Sequence, residues 1–236
     1  MKTYIKEFQK EFDILYRRHG SHEVFTDFVE MAAISIRQSV GFNSYLEEQY
    51  MRIINKYDYK DERFQFGKLL GIVILALDES LGFRDFLGEV FGENDLGNSH
   101  IGQFFTPFDV SELMAKLTVG EFPDFKGIIK VQEPACGSGG MVLAFCKAAM
   151  ESGINYQKDV FVSAIDVSPR AAHMAYIQLS LAGVPAAVTL GNTLTLEHTW
   201  TWYTPMYFIS NIQYRMKYEC TRKISNIGGQ LNLFED

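Results

Sequence analysis

The chain has 236 residues, 47% of them hydrophobic and 22% charged, with a formal net charge of -7. That is enough for one large domain or two small ones around a proper core. The acidic balance argues against broad electrostatic wrapping of nucleic acid, though it leaves room for a local basic surface or a basic partner subunit. The three cysteines form no Cys-x-x-Cys pair, which suits free thiols in a reducing compartment rather than a disulfide scaffold or a zinc site. The charged Met1–Glu11 lacks a signal-peptide core, and Leu69–Leu77 falls short of the roughly 20 residues that span a bilayer. A cytoplasmic location and no membrane part are expected.

Residues 1–98 read as a helical N-terminal domain. Ile5, Phe8, Phe12 and Leu15 recur at helical spacing. His19-Gly20-Ser21 breaks that helix, and Ser21 is placed to cap the next. Val24–Ile36 is apolar on several faces and should be a central helix. Leu46, Tyr50, Ile53 and Ile54 mark a third helix, Phe66–Leu77 a fourth, and Phe83–Phe91 a fifth that stops at Gly92. Taken alone, this is a helical bundle without chemistry.

The polar stretch Glu93–His100 reads as a linker, so a second domain is drawn over residues 99–214 and a tail over 215–236. Gly102-Gln103-Phe104-Phe105-Thr106-Pro107 follows. Thr106 is placed to cap a helix, with Pro107 in its first turn and Asp109 three residues beyond the cap. Val110, Leu113, Met114 and Leu117 would supply the buried face of that helix.

Gly127–Val131 reads as a short buried strand. Glu133-Pro134-Ala135-Cys136-Gly137-Ser138-Gly139-Gly140 comes next, and Val142–Met150 suits a helix. A strand, a glycine-rich turn and a helix start can hold a polar ligand against the main chain. There is no lysine of the phosphate-cradling kind. The acid Glu133 stands at the strand end instead, which favours a cationic or hydroxyl-rich ligand.

Strand–helix alternation continues, as in a parallel sheet. Asp159–Ile165 reads as a strand, and Ser168-Pro169 opens the next helix. Asp166, at the strand tip, could accept both ribose hydroxyls of an adenosine, could serve as a helix cap, or could do both; Val167 could pack on the adenine. Ala186–Leu190 reads as a third strand leading into Gly191-Asn192-Thr193-Leu194. Met206–Ser210 reads as a fourth strand, ahead of Asn211-Ile212-Gln213-Tyr214. The histidines His19, His22, His100, His173 and His198 show no metal-ligand spacing, so no metal is expected.

Gly-Gln-Phe-Phe-Thr-Pro followed by Glu-Pro-Ala-Cys-Gly-Ser-Gly-Gly resembles the cofactor motifs of DNA adenine-N6 methyltransferases. It is closest to the methylation subunits of type I restriction-modification systems. The resemblance implies a Rossmann-like α/β class I methyltransferase domain behind an all-α domain, and S-adenosylmethionine as cofactor. It implies cofactor binding by Phe105, Thr106, Pro107, Glu133, Ala135, Cys136, Gly137, Ser138, Gly139, Asp166, Val167, Asn192 and Thr193. In that family the Asn192 position hydrogen-bonds the adenine edge, which a carboxamide can do as donor and acceptor. Asp85–Phe91 loosely resembles the end of the helical domain of those subunits, which contacts DNA and partner subunits.

Two departures from the family stand out. The family's fourth strand ends in Asn/Asp-Pro-Pro-Tyr/Phe, which receives the adenine flipped out of the duplex. Here Asn211 and Tyr214 remain as the implied catalytic residues, but both prolines are gone and the preorganisation they bring is lost. The chain also ends soon afterwards, so the expected strand order 3-2-1-4 leaves an exposed edge for a partner chain, a second copy or the tail to cover. Arg215, Lys217, Arg222 and Lys223 could touch phosphate or form a solvated face. Gln230-Leu231-Asn232-Leu233-Phe234 resembles the pentapeptide by which replication proteins dock on the sliding clamp. Two readings stand: a DNA adenine methyltransferase, active alone or with a partner, and a non-catalytic cofactor-binding or DNA-associated adaptor.

Overall fold

The computed structural model describes residues 2–59, 61–93, 105–120 and 127–219. The 98/99 boundary, Gly102–Phe104, Arg222, Lys223 and the Gln230–Phe234 pentapeptide lie outside the described residues.

Five helices open the chain: α1 (Lys2–His19), α2 (Ser21–Gln38), α3 (Ser44–Ile54), α4 (Glu62–Glu79) and α5 (Phe86–Glu93). The stripe Ile5, Phe8, Phe12 and Leu15 is buried as its spacing requires. Gly20, with φ 82°, separates α1 from α2. Ser21 is already helical and makes no cap. The fifth helix does not stop at Gly92 but runs on to Glu93. The second helix is buried along most of its length, and its one buried acid, Asp27, is held by the Tyr57 hydroxyl at 2.8 Å and by Lys56. A buried carboxylate needs such partners.

The second part begins with α6 (Phe108–Val119) and then alternates β1 (Ile129–Glu133), α7 (Gly140–Glu151), the short α8 (Tyr156–Asp159), β2 (Val160–Asp166), α9 (Pro169–Leu181) and β3 (Ala186–Asn192). The three strands are parallel in the order β1-β2-β3. A Ser168 cap on Ala171 N starts α9, as expected from Ser168-Pro169. The two parts share one hydrophobic core. Phe8, Phe25 and Val73 belong to the same buried cluster as Val162, Tyr176 and Val188.

Three expectations fail here. The first concerns α6. Its N-cap is Pro107, with no side-chain cap from Thr106, and Val110, Leu113, Met114 and Leu117 are exposed rather than buried. The helix packs through its small residues, Ser111 and Ala115, together with Val119. Ion pairs to α7, Glu112–Lys147 and Lys116–Glu151, are compatible with that rotation.

The second is the fourth strand, which is not Met206–Ser210. It is β4 (Glu197–Tyr203), an antiparallel hairpin partner of β3. The turn is a four-residue loop, Thr193–Leu196, with a register shift at Leu190/Gly191. Residues Pro205–Ile209 form the short helix α10, with proline at its start, where a missing N–H costs nothing.

The third is the sheet order, which is β1-β2-β3-β4 rather than 3-2-1-4. The chain therefore adds its fourth strand beside β3. Among the described residues, β1 keeps an open edge.

Candidate functional site

The parallel strands β1 and β2 end side by side at Glu133 and Asp166, and the glycine loop crosses in front of them. A cavity of about 590 Å³ opens there. It is bordered by Phe105 and Thr106 from the segment before α6, by Glu133, Ala135, Cys136, Gly137 and Ser138 from the loop, and by Asp166 and Val167 from the tip of β2.

The loop is held in shape by backbone bonds that its sequence permits. Cys136 N–H donates to Ile165 O at 2.8 Å, and Gly139 N–H to Cys136 O at 2.8 Å. Gly139 sits at φ 95° as the N-cap of α7, a left-handed conformation that a side chain would strain. Gly137 N–H donates to Asp166 Oδ2 at 2.8 Å, and Ser168 N–H to Oδ1 at 2.9 Å. Asp166 thus latches the loop to β2 through Oδ2 and shapes the turn into α9 through Oδ1, and each oxygen keeps a further lone pair.

Glu133 accepts from Ala135 N–H at 3.3 Å. Burial raises its pKa above the usual carboxylate value, and the nearby Asp166 charge pushes the same way. The Cys136 thiol is pushed well up by burial and by Asp166 and Glu133, which keeps it from acting as a nucleophile.

Of the other residues named from the sequence, Pro107, Gly139, Asn192 and Thr193 do not border the cavity. Thr193 Oγ1 donates to Pro134 O at 2.6 Å and so ties the tip of β3 to the loop. Asn192 Oδ1 is taken by Leu194 N–H and Thr195 N–H, at 2.9 and 3.3 Å, inside the hairpin turn. Its carboxamide oxygen is occupied by that turn rather than held out for a ligand.

Asn211 and Tyr214 are far from this cavity. Because β4 is antiparallel, it carries the chain back from the strand tips to the opposite rim of the sheet. There Thr204 N–H donates to Ala186 O at the start of β3. Arg215, next to Tyr214, pairs with Asp159 at 2.9 Å, just ahead of β2. The seven residues of β2 separate that end from Asp166, a span of about 20 Å at the usual rise. Asn211 and Tyr214 are exposed, whereas Ile212 between them is fully buried.

Asp85 and Arg170, assigned no cofactor role from the sequence, also border the cavity. Asp85 is buried just before α5. It accepts from Ser138 Oγ at 2.5 Å, Gln178 Nε2 at 2.9 Å and Gly88 N–H at 3.0 Å. Its pKa is raised by burial, against these three hydrogen bonds. A side chain at Gly88 would collide with it, a Cβ there lying 2.2 Å from Oδ2. The guanidinium of Arg170 lies 4.7 Å from the centroid of the Phe91 ring, and its Nε is buried without a partner among the described residues. Desolvation lowers its pKa. Phe91 in turn packs on Phe105 at 5.3 Å, and the Phe105 ring lies against Gly137. Among the described lining residues Arg170 is the one cation, beside the carboxylates of Asp85, Glu133 and Asp166, and its Nη1 lies 3.4 Å from His22 Nδ1.

The N-6 DNA methylase family matches residues 86–228. This chain belongs to the N-6 DNA methylase family. Among solved structures, it is similar to one from Listeria monocytogenes described as a class I S-adenosylmethionine-dependent methyltransferase, with 14% identity and a TM-score of 0.43. That match covers 79% of this chain and 52% of the Listeria protein, so this chain spans about half of its length. No curated protein matches the chain.

The cofactor of N-6 DNA methylases is S-adenosylmethionine, and the donor set fits it. The cavity offers carboxylates for hydroxyls or an ammonium, a cation for a carboxylate, an aromatic wall at Phe105 and exposed apolar Val167. Its volume lies within the usual range for small-ligand sites, about 300–1,000 Å³.

Proposed function

We propose that this member of the N-6 DNA methylase family binds S-adenosylmethionine at the tips of β1 and β2 and serves methyl transfer to N6 of adenine in DNA. The supporting observation is the pairing of Glu133 and Asp166 at adjacent strand ends, with the glycine loop latched between them. When bound, the cofactor supplies an activated methyl group, so no metal is called for. Asp166 and Glu133 would take its hydroxyl or ammonium groups, Arg170 its carboxylate, and Val167 the face of its adenine. Burial of the lining groups strengthens each of these contacts.

Asn211 and Tyr214, which the family resemblance implies for the target base, lie at the rim opposite this cavity. That favours two arrangements. In one, a partner chain or second copy brings the base-receiving residues, and the open edge of β1 supports this. In the other, the chain is a cofactor-binding adaptor that transfers nothing itself, with Gln230–Phe234 as a docking segment for the sliding clamp. A cytoplasmic location and DNA as partner go with either arrangement.

Two measurements separate these readings. Calorimetry with S-adenosylmethionine tests the cavity, and labelled methyl transfer to unmethylated DNA, with and without cell extract, tests the reaction. Cofactor uptake with transfer only in extract selects the partnered enzyme. Uptake without transfer in either condition selects the adaptor. No uptake overturns the proposal. Loss of clamp retention on deleting Gln230–Asp236 would support the docking segment, and unchanged retention would remove it.

A further inference from the structure

The first turns of α9 serve two cavities. Ser168 and Arg170 border the one just described. Pro169 and His173, one turn apart, border another of about 520 Å³, a cleft between the helical part and β4. Its polar lining comes from Glu30 and Arg37 of α2, Asn43 at the cap of α3 and Gln49 within α3. One wall consists of flat rings. His173 lies almost parallel to Trp200, at 9° and 5.4 Å, and Trp200 stacks on Trp202 at 21° and 4.2 Å.

This wall has an unmet requirement. His173 is only 6% exposed, and its Nδ1 has no hydrogen-bond partner among the described residues. A buried, unpaired ring nitrogen is costly unless something fills it. Desolvation lowers the His173 pKa to about 4, so the ring is neutral near pH 7 and presents one donor and one acceptor. The same cavity is lined by a carboxylate, a guanidinium and two carboxamides, a set that also mixes donors with acceptors.

The combination narrows the ligand. A bare anion would meet Glu30. An alkylammonium would suit the rings and Glu30 but would meet Arg37. An aliphatic group would leave the polar lining unpaired. A flat, neutral ring with donors and acceptors along its edge satisfies both the wall and the rim, and ring-on-ring stacking is how unpaired bases are held.

We propose that this second cavity is a nucleobase site, which stacks a base on the half-buried Trp200 ring and reads its edge with Glu30, Arg37 and Gln49. The base would arrive either as a free nucleotide or as an unpaired base of a DNA strand. The assignment is independent of the cofactor reading, since no residue lining one cavity lines the other.

The chain has two tryptophans, and both belong to this wall, so intrinsic tryptophan emission reports on this cavity. Titration of the full chain with adenosine monophosphate, thymidine monophosphate and a short single-stranded oligonucleotide should quench that emission saturably. Equal affinity for nucleotide and oligonucleotide supports a free-nucleotide site, and tighter oligonucleotide binding supports a strand site. Trp200→Leu and the rim variant Gln49→Ala should each weaken binding at least tenfold. Asp166→Ala, in the other cavity, should leave the quenching in place. Absence of saturable quenching up to millimolar nucleotide would overturn the proposal. So would Gln49→Ala binding like the parent protein, or quenching that is lost with Asp166→Ala rather than with the wall.

Discussion

Ser138 Oγ donates to Asp85 Oδ2 across 2.5 Å, joining the glycine loop to a carboxylate 53 residues earlier in the chain. Gln178 closes the network from α9, donating to Asp85 Oδ1 and to Ser138 O while accepting from Leu87 N–H. Asp85→Ala strands three donors in a buried site and is expected to cost about 3 kcal/mol or more of stability. Asp85→Asn keeps the shape and should cost less. Urea denaturation of both variants checks the order, and calorimetry should show weaker cofactor uptake in the alanine variant.

Glu133 provides a pH signature. Its folded pKa is raised above 4.5 by burial and by Asp166. If the ionised carboxylate takes part in binding, cofactor affinity rises with pH as Glu133 titrates, in a range above that of an ordinary glutamate. Glu133→Gln should flatten this dependence and lower the affinity near pH 7. Titration calorimetry between pH 5 and 8 checks both.

His173 governs acid stability in a predictable direction. Its folded pKa is about 4, against 6.5 for the free side chain. As pH falls below 6.5, the unfolded chain takes up the proton first, so stability is full above 6.5 and declines toward 4. The loss at the acid end should be about 3 kcal/mol. His173→Phe, which keeps a ring in the stack, should show a shallower decline in denaturation measurements over the same range.

The rim position of Asn211 and Tyr214 separates their behaviour from that of the cavity. Asn211→Ala and Tyr214→Phe should change cofactor affinity less than twofold. Asp166→Ala should lower it tenfold or more, about 1.4 kcal/mol or above. Ile212→Ala, at a fully buried residue, should instead destabilise the fold by about 2–4 kcal/mol. Cofactor calorimetry paired with thermal melts distinguishes the three effects.

Much of this architecture was legible from residue order. Alternating apolar runs and glycine-rich turns located β1, β2 and β3 and the helices between them, because local periodicity and turn chemistry govern those elements. The rotation of α6 was not legible. Its apolar residues Val110, Leu113, Met114 and Leu117 form a regular stripe, yet close packing on α7 selects Ser111 and Ala115 with Val119. Glu197–Tyr203 did carry a strand signal, with Trp200 and Trp202 alternating with Thr199 and Thr201. The apolar Met206–Ile209 run carries a competing strand signal, although Pro205 ahead of that run suits a helix start. Asp85 could not have been found from spacing, since two of its partners stand 53 and 93 residues away.

The family match starts at Phe86, one residue after the carboxylate on which Ser138 and Gln178 converge. A fragment cut at that border would lose Asp85. It would also bare Phe86 and Phe91, which pack on Phe8 at 6.0 Å and Phe25 at 5.7 Å. The stretch that carries the family likeness is therefore shorter than the stretch that shares its core, and the opening helices shield the rings and the carboxylate beside the cavity from water.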